Sequence, residues 1–268
     1  MAAVRISAWP PAEAVVVDGR RLAVHRVTAG SDSASSASES AAAPPVLLLH
    51  GLRGNGHEWG PLSGHLPSGR LLIAPDLPGF GGSEKRGGYA LSAVATTLAA
   101  LVEHEAGGPV DAIGHDWGAT LAIALAAMHP DLVRRLGLIA GMWPPWLAAG
   151  PGHPAPGLAA RVRRLESTAG RGRGVAQAYL QDDPELDGTP KPERSLVVWG
   201  TTPKFAAPWS SVPARRLSPR FGEKVVTALG RCVDPASVDM VTLPGGGYSP
   251  HVTASPIVGS LLCDLLTS

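Results

Sequence analysis

The pentapeptide Gly114-His115-Asp116-Trp117-Gly118 decides the fold of this chain, because the sequence changes character on either side of it. Residues 109–113 predict a short strand, and residues 119–128 predict a helix, since they are rich in Ala and Leu and contain neither Gly nor Pro. Gly114 and Gly118 suit a tight turn between the two, where a side chain at either position would collide with the neighbouring strand or helix. The sequence therefore predicts that Asp116 lies on a strained turn at the end of a strand.

Asp116 has two interpretations. A carboxylate held above a sheet can open an epoxide or displace a halide and form an alkyl ester, whereas a serine in the same place would attack acyl carbons. Alternatively, Asp116 is a surface carboxylate near a helix N-terminus, where the helix dipole stabilises it. The pentapeptide alone leaves both interpretations open, and the segments around it decide between them.

Two glycine-containing loops precede the pentapeptide, each after a predicted buried strand. The apolar residues 46–49 predict the first strand, which is followed by His50-Gly51-Leu52-Arg53-Gly54. Residues 71–74 predict the second strand, which is followed by the loop 75–83. In this second loop Asp76 and Ser83 can bond to their own backbone while the glycines allow a tight reversal. We expect it to have a structural role and no catalytic one.

These three segments, in this order, resemble the α/β-hydrolase superfamily. The strand, turn and helix around Asp116 resemble its nucleophile elbow, and His50-Gly51 resembles the H-G-x motif that follows its third strand. The resemblance implies an α/β-hydrolase fold, with a mostly parallel eight-stranded sheet flanked by helices and a short lid. The G-H-D-W-G form of the elbow is similar to the branch that contains epoxide hydrolases and haloalkane dehalogenases. It implies that Asp116 is the nucleophile and that the backbone N–H groups of Leu52 and Trp117 are the oxyanion donors.

The rest of the chain predicts further elements of one domain. Residues 14–17 and 22–27 flank Asp18-Gly19, a strong hairpin signal, and should pair as antiparallel strands at the sheet edge. Residues 29–45 are rich in Ser and Ala and predict a surface loop. The apolar pattern also predicts a helix at 89–105, strands at 136–140, 195–199 and 238–243, and a closing helix at 256–266.

We interpret residues 1–140 and 195–268 as two parts of the same core and residues 141–194 as the short lid. A formal net charge of +1 argues against binding to nucleic acid or membrane surfaces through bulk charge. Cys232 and Cys263 are too few and too far apart for a disulfide framework or a zinc site, and no apolar run approaches membrane-spanning length. We expect a cytoplasmic protein that acts on a small molecule without a cofactor or metal; its oligomeric state stays open.

The partners of the nucleophile depart from the resembled pattern. An acid that orients the histidine is expected after Trp199-Gly200 or after the preceding strand, and the sequence has none at either place. On a gap-free match Tyr248 occupies the position of the catalytic histidine, and His251 follows three residues later. His251 is then either the base or a loop histidine with no role, and its orienting acid would be a distant residue such as Asp234 or Asp239.

Several side chains are candidates for binding the substrate. The resembled branch uses two lid tyrosines to protonate the epoxide oxygen, whereas this lid offers only Tyr179. Trp143 and Trp146 can line an apolar pocket, although packing in the core or lid explains them as well. His50 and Tyr248 complete the set that we expect to contact the substrate.

Three functions are compatible with these residues. In a hydrolase, Asp116 opens an epoxide or similar electrophilic carbon and His251 activates water against the ester. A cyclase or isomerase would use Asp116 as general acid, base or anchor, and a binding protein would use the scaffold without catalysis. Abundant Ala and Arg suggest a GC-rich bacterial source and, with the tryptophans of the short lid, a bulky secondary metabolite as substrate. We favour the hydrolase, because aspartate at an elbow is most simply explained as a nucleophile.

Overall fold

The structure is a computed structural model that describes residues 9–30, 43–86, 88–141, 192–201, 229–230 and 233–268. Within these residues the centre of the molecule is one sheet of eight strands. The strands are β1 Glu13–Val17, β2 Arg20–Thr28, β3 Val46–Leu49, β4 Leu71–Pro75, β5 Val110–His115, β6 Val133–Ile139, β7 Arg194–Thr201 and β8 Val238–Pro244. The α-helices are α1 Gly60–Ser63, α2 Leu91–Ala106, α3 Trp117–Met128, α4 Pro250–Thr253 and α5 Ser255–Thr267, and short 3-10 helices span Gly56–Trp59, Pro130–Leu132 and Pro235–Ser237.

The sheet is mostly parallel, with the order β1-β2-β4-β3-β5-β6-β7-β8. β2 is antiparallel to both of its neighbours, β1 and β4, and all other adjacent pairs are parallel. The central strands β3 and β5 are buried along their whole length, which explains why their sequences do not alternate between apolar and polar residues. The mostly parallel, eight-stranded α/β sheet predicted from the sequence is confirmed.

The predicted hairpin forms at the edge of this sheet. Val17 pairs with Arg20, so that Asp18 and Gly19 alone make the turn. Their φ angles are 48° and 69°, in the left-handed region that a two-residue hairpin turn requires. Asp18-Gly19 was therefore a correct signal for both the turn and the strand pairing.

Helices cover the two faces of the sheet. α2 and α3 pack against one face and share a core of buried apolar side chains with it, while Trp59 and α5 belong to a second core on the other face. α3 is buried on all sides from Trp117 to Ala127. Its many alanines are explained by this position, because small side chains let a helix pack closely between the sheet and α2.

Several predicted element boundaries differ from the structure by one or more residues, and two of these differences have a clear structural context. β5 continues to His115 and α3 begins at Trp117, so the sharp turn between them consists of Asp116 alone. β6 begins at Val133, although the sequence predicted it to start only after Arg135. The buried Arg135 guanidinium donates to the carbonyl oxygen of Leu266 at 2.7 Å and to that of Ser268. These acceptors from the last helix allow a charged residue to lie inside a buried strand.

Two predicted segments fall largely outside the described residues. These are residues 31–42 of the surface loop and residues 142–191 of the lid, so the division into core and lid stays a prediction. None of the helices in the described ranges is both long and apolar enough to cross a membrane.

A buried ion pair connects the sheet to the closing helix. The distance from Arg70 Nη2 to Asp111 Oδ2 is 2.7 Å, and the side chains are 3% and 1% exposed. Arg70 Nη1 also donates to the carbonyl oxygen of Leu266 at 3.2 Å. Arg70 thus joins strand β5 to the end of α5.

We expect Asp111→Asn to lower the free energy of unfolding by about 3 kcal/mol, because it leaves the Arg70 guanidinium buried without its counter-ion. Unfolding in urea measures this loss. The control is Asp239→Asn, which breaks an exposed ion pair with Arg194 (2.6 Å) and should cost less than about 1 kcal/mol. Equal losses in the two variants would contradict the assignment.

Candidate active site

Asp116 occupies a strained backbone conformation at the tip of the turn between β5 and α3. Its φ and ψ angles are 52° and −112°, a region that residues other than glycine rarely adopt. The Asp116 N–H donates to the carbonyl oxygen of Ile139 at 3.0 Å. A Cβ atom on Gly114 would collide with the backbone of Gly118, and one on Gly118 with the backbone of Leu49. The two glycines therefore have the role that the sequence predicted for them.

The two oxygens of the Asp116 carboxylate have different surroundings. Oδ2 accepts a hydrogen bond from the backbone N–H of Leu52 at 2.9 Å. Oδ1 is buried and has no hydrogen bond of ordinary geometry within the described residues. Burial raises the pKa of Asp116, whereas the charge of His115 and hydrogen bonds from the Tyr248 side chain and the N–H groups of Leu52 and Trp117 lower it; the net shift is upward. The Leu52 N–H thus binds the carboxylate, and the role of the Leu52 and Trp117 N–H groups as oxyanion donors stays a prediction.

Tyr248 is the side chain that contacts Asp116 from the loop after β8. Burial, the charge of Asp116 and the polar contact with its carboxylate all raise the pKa of Tyr248, so the phenol keeps its proton. The loop is held against the end of β7, where a Cβ atom on Gly200 would collide with the backbone of Gly247. Thr253 Oγ1 donates to the carbonyl oxygen of Gly246 at 2.8 Å and fixes the loop from the other side.

Glu58 is a carboxylate beside His115 and His251 that the sequence analysis did not identify. It lies in the 3-10 helix Gly56–Trp59, and its Oε1 is 3.1 Å from His115 Nδ1 and 3.5 Å from His251 Nε2. Oε1 also accepts the Gly51 N–H at 3.1 Å. Burial raises the pKa of Glu58, but the hydrogen bonds and charges of the two histidines outweigh it and hold the pKa well below its usual range.

The distant acids suggested by the sequence are elsewhere. Asp239 pairs with Arg194 on the surface, and Asp234 accepts the N–H of Ala236 at the start of a 3-10 helix. That prediction is wrong, because both side chains are engaged at the opposite end of β8 from the loop that carries Tyr248. No spacing rule pointed to Glu58, whereas His115 was already visible inside the pentapeptide.

His251 lies in the short helix α4 and is fully buried. Its ring centroid is 4.3 Å from that of His115 and 4.8 Å from that of Trp59. Burial lowers its pKa to about 4, although Glu58 partly opposes the shift, so the ring is neutral near pH 7. Neither ring nitrogen has a hydrogen bond of ordinary geometry within the described residues. Tyr248, three residues earlier, makes the contact with Asp116 that was expected of the base.

His50 holds the loop after β3 in place. Its Nδ1–H donates to the Gly51 carbonyl oxygen at 2.8 Å, and its Nε2 accepts the Leu77 N–H at 2.8 Å. The ring is fully buried, and burial lowers its pKa. Both nitrogens are engaged, which gives His50 a structural role, and its contact with a substrate stays a prediction. The other expected substrate contacts, Trp143, Trp146 and Tyr179, lie outside the described residues.

Donor atoms of Glu58, His115 and His251 lie within 4.8 Å of one another, a combination that can hold a metal ion. The separations of 3.1 Å and 3.5 Å around Glu58 Oε1 are also those of a hydrogen bond and an ion pair. A proton between His115 and Glu58 thus accounts for the shortest contact of the cluster.

Comparison with known proteins connects this geometry to a family. The sequence profile of the family described as alpha/beta hydrolase fold matches residues 44–183. The chain is 37% identical to the soluble epoxide hydrolase of Corynebacterium sp. (strain C12) over 142 residues, which are 53% of this chain and 45% of that enzyme. It is 39% identical to lipase LipV of Mycobacterium tuberculosis over 94 residues, which are 35% of this chain and 36% of that protein. These matches span less than half the length of either relative. The solved structure of the epoxide hydrolase CorEH superposes with a TM-score of 0.69 at 20% identity, covering 96% of this chain and 98% of that chain.

The burial of neutral His251 makes stability depend on pH. Its pKa falls from an ordinary value of 6.5 to about 4, so between these values the unfolded chain binds a proton that the folded chain does not. His251 therefore lowers the free energy of unfolding as the pH falls from about 6.5 to about 4.

We expect His251→Phe to flatten this part of the pH profile, because phenylalanine keeps a ring beside Trp59 and cannot titrate. Unfolding in urea at a series of pH values measures the slope. His104→Gln is the control, since His104 is exposed on α2 and its replacement should leave the slope unchanged. A wild-type slope in His251→Phe would show that another group causes the dependence.

Proposed function

The chain belongs to the alpha/beta hydrolase fold family, and from that premise we propose that it opens an electrophilic carbon, such as that of an epoxide, with Asp116 as the nucleophile. The observation that supports this proposal is the difference between the two oxygens of its carboxylate. Oδ2 is bound by the Leu52 N–H, while Oδ1 has no hydrogen bond of ordinary geometry within the described residues. An oxygen without such a donor keeps its lone pairs for attack, and desolvation strengthens it as a nucleophile.

The first step makes an ester of Asp116. Oδ1 forms a bond to one epoxide carbon, the bond from that carbon to the epoxide oxygen breaks, and the freed oxygen takes a proton from the Tyr248 hydroxyl. The charge of Asp116 is one cause of the raised pKa of Tyr248. Because this charge disappears when the ester forms, the phenol becomes a better acid as the alkoxide appears. Oδ2 is now the ester carbonyl oxygen, and the Leu52 N–H already binds this position.

The second step releases the product with water. Water adds to the ester carbonyl carbon and gives one proton to the Tyr248 phenolate. The bond between the acyl carbon and the product oxygen then breaks, that oxygen takes the second proton of the water, and Asp116 is left as a carboxylate. Tyr248 is then neutral again, so protons balance over the cycle. His251 is the alternative base, and it would have to turn from Glu58 and Trp59 towards the ester. Tyr248 is favoured because it already contacts Asp116.

A non-hydrolytic cyclase or isomerase is the second candidate. The contact between an acid, Tyr248, and a base, Asp116, supports it, because such a pair moves protons on a substrate without needing water. Ester cleavage, as the name of the lipase relative indicates for that protein, is less suited to Asp116. Its carboxylate would form an anhydride with an acyl substrate, which is less stable than an alkyl ester.

The substrate side of the proposal rests on the lid. We assign Trp143, Trp146 and Tyr179 to substrate contact, with residues 141–194 as the lid between two parts of the core. Tyr179 would then supply a second hydroxyl to the epoxide oxygen. The substrate is a small molecule with an apolar body, and a bulky secondary metabolite fits the two tryptophans.

We expect Asp116→Asn to lower the rate of diol formation from an aryl epoxide about a thousandfold, because an amide is a far weaker nucleophile. Product formation from styrene oxide, followed by chromatography, measures this rate. Asp131→Asn removes an exposed carboxylate and should leave the rate unchanged. Wild-type turnover by Asp116→Asn would remove Asp116 from the mechanism, and turnover of 4-nitrophenyl acetate in place of styrene oxide would indicate an esterase.

The source of the product oxygen separates the hydrolase from the cyclase. In water labelled with ¹⁸O, many turnovers should put one label into each diol, whereas a single turnover with excess enzyme should put the label into the peptide that contains Asp116. This follows because water attacks the acyl carbon and the first product keeps an Asp116 oxygen. An unlabelled product after many turnovers would identify the non-hydrolytic reaction. Label in the first product would show that water attacks the substrate directly.

Tyr248→Phe lacks the acid of the first step and the base of the second. Since Tyr179 can still give a proton to the epoxide oxygen, the ester should form slowly and be hydrolysed more slowly still, and intact-protein mass spectrometry should show the enzyme with the substrate mass added. Tyr89→Phe is the matched control, since the Tyr89 hydroxyl binds the Lys85 carbonyl oxygen at 2.7 Å, away from Asp116. No adduct and normal turnover in Tyr248→Phe would assign the second step to another base.

A further inference from the structure

His115 lies between two oxygen acceptors. Its Nδ1 is 3.1 Å from Glu58 Oε1, and its Nε2 is 3.1 Å from the backbone carbonyl oxygen of Tyr248. A backbone carbonyl oxygen only accepts, and Glu58 Oε1 already accepts the Gly51 N–H. A neutral imidazole carries one N–H and can make only one of the two bonds. Both bonds form together only if His115 is an imidazolium.

The surroundings of His115 compensate a positive charge. The ring is 3% exposed, so a charge there needs a close partner, and Glu58 and the adjacent Asp116 provide negative charge. Burial lowers the pKa of His115, but the bond and charge of Glu58 and the charge of Asp116 outweigh it, and the net shift is upward. His251 is farther from Glu58 Oε1, at 3.5 Å, and stays neutral.

We infer that Glu58 and the buried His115 form an ion pair that positions the groups around Asp116, so that both are positioning residues for the proposed reaction. The pair reaches two different segments. Glu58 binds the Gly51 N–H, directly before the Leu52 N–H that binds Asp116. The kinetic part of this inference rests on the proposed function, and the protonation of His115 does not.

The second segment is the loop that carries Tyr248. His115 Nε2–H donates to the Tyr248 carbonyl oxygen, and the two rings meet edge to face with centroids 4.8 Å apart. The same residue therefore fixes the backbone and the ring of the tyrosine whose hydroxyl contacts Asp116. Loss of the His115 charge would release one of its two bonds and with it one of the two segments.

Glu58→Gln tests the inference, because glutamine keeps the shape and an acceptor oxygen but removes the charge. His115 should become neutral and lose one bond, and we expect kcat for styrene oxide to fall about a hundredfold with little change in KM. Glu103→Gln is the matched control, since it removes the same charge from the exposed surface of α2 and should leave both constants unchanged. Circular dichroism verifies that both variants are folded.

A measurement on the wild-type protein tests the ion pair without catalysis. In ¹⁵N NMR spectra at about pH 8, the ring of His115, assigned by its absence in His115→Phe, should have protons on both nitrogens. In Glu58→Gln it should have one. A single protonated nitrogen in the wild type would overturn the ion pair, and so would one equivalent of bound zinc that displaces the Nδ1 proton.

The kinetic outcomes separate this inference from the proposed function. If Asp116→Asn is inactive while Glu58→Gln keeps wild-type kcat, the function stands and the positioning role is wrong. If Asp116→Asn keeps full activity, the proposed function is wrong, and the NMR result still decides the ion pair.

Discussion

The arrangement around Asp116 depends on the balance of charge among side chains that have little access to water. Asp116 and Glu58 bring two carboxylates close to His115, and their environments shift the pKa values of all three. Glu58 binds the loop after β3, and His115 binds the loop after β8. Asp116 itself forms the turn after β5. The same contacts therefore balance the charges and hold the loops in place. A change of charge at one of these residues also weakens the attachment of a loop. The Leu52 N–H completes the arrangement as a donor that carries no net charge.

Most of the fold could be predicted from the sequence because its signals are local. Asp18-Gly19 specifies a hairpin turn, the apolar runs specify buried parallel strands, and Gly114 and Gly118 specify a close crossing of strand and helix. The predicted start of β6 was wrong because Arg135 is stabilised by the carbonyl groups of Leu266 and Ser268, which are more than a hundred residues away in the sequence. Local patterns carry no information about such partners.

The site could be predicted only where a motif covers it. Asp116 and the Leu52 N–H meet where the pentapeptide and the preceding loop indicated. Glu58 was missed because it is 57 residues before His115 in the sequence and meets it only through the pairing of β3 with β5. Tyr248 and His251 are separated by the start of α4, so a spacing of three residues could not tell which side chain faces Asp116.

The closing helix also has a consequence for biosynthesis. Arg70 binds the carbonyl oxygen of Leu266, which is added to the growing chain 196 residues later. The apolar side chains that α5 covers also stay uncovered until α5 has been synthesised. Until then a nascent chain leaves exposed the part of this face that α5 covers, together with a guanidinium that lacks its final acceptor. Such an intermediate is open to aggregation and to capture by chaperones, whereas the opposite face is covered early by α2 and α3. The two faces of this sheet are therefore completed at different stages of synthesis.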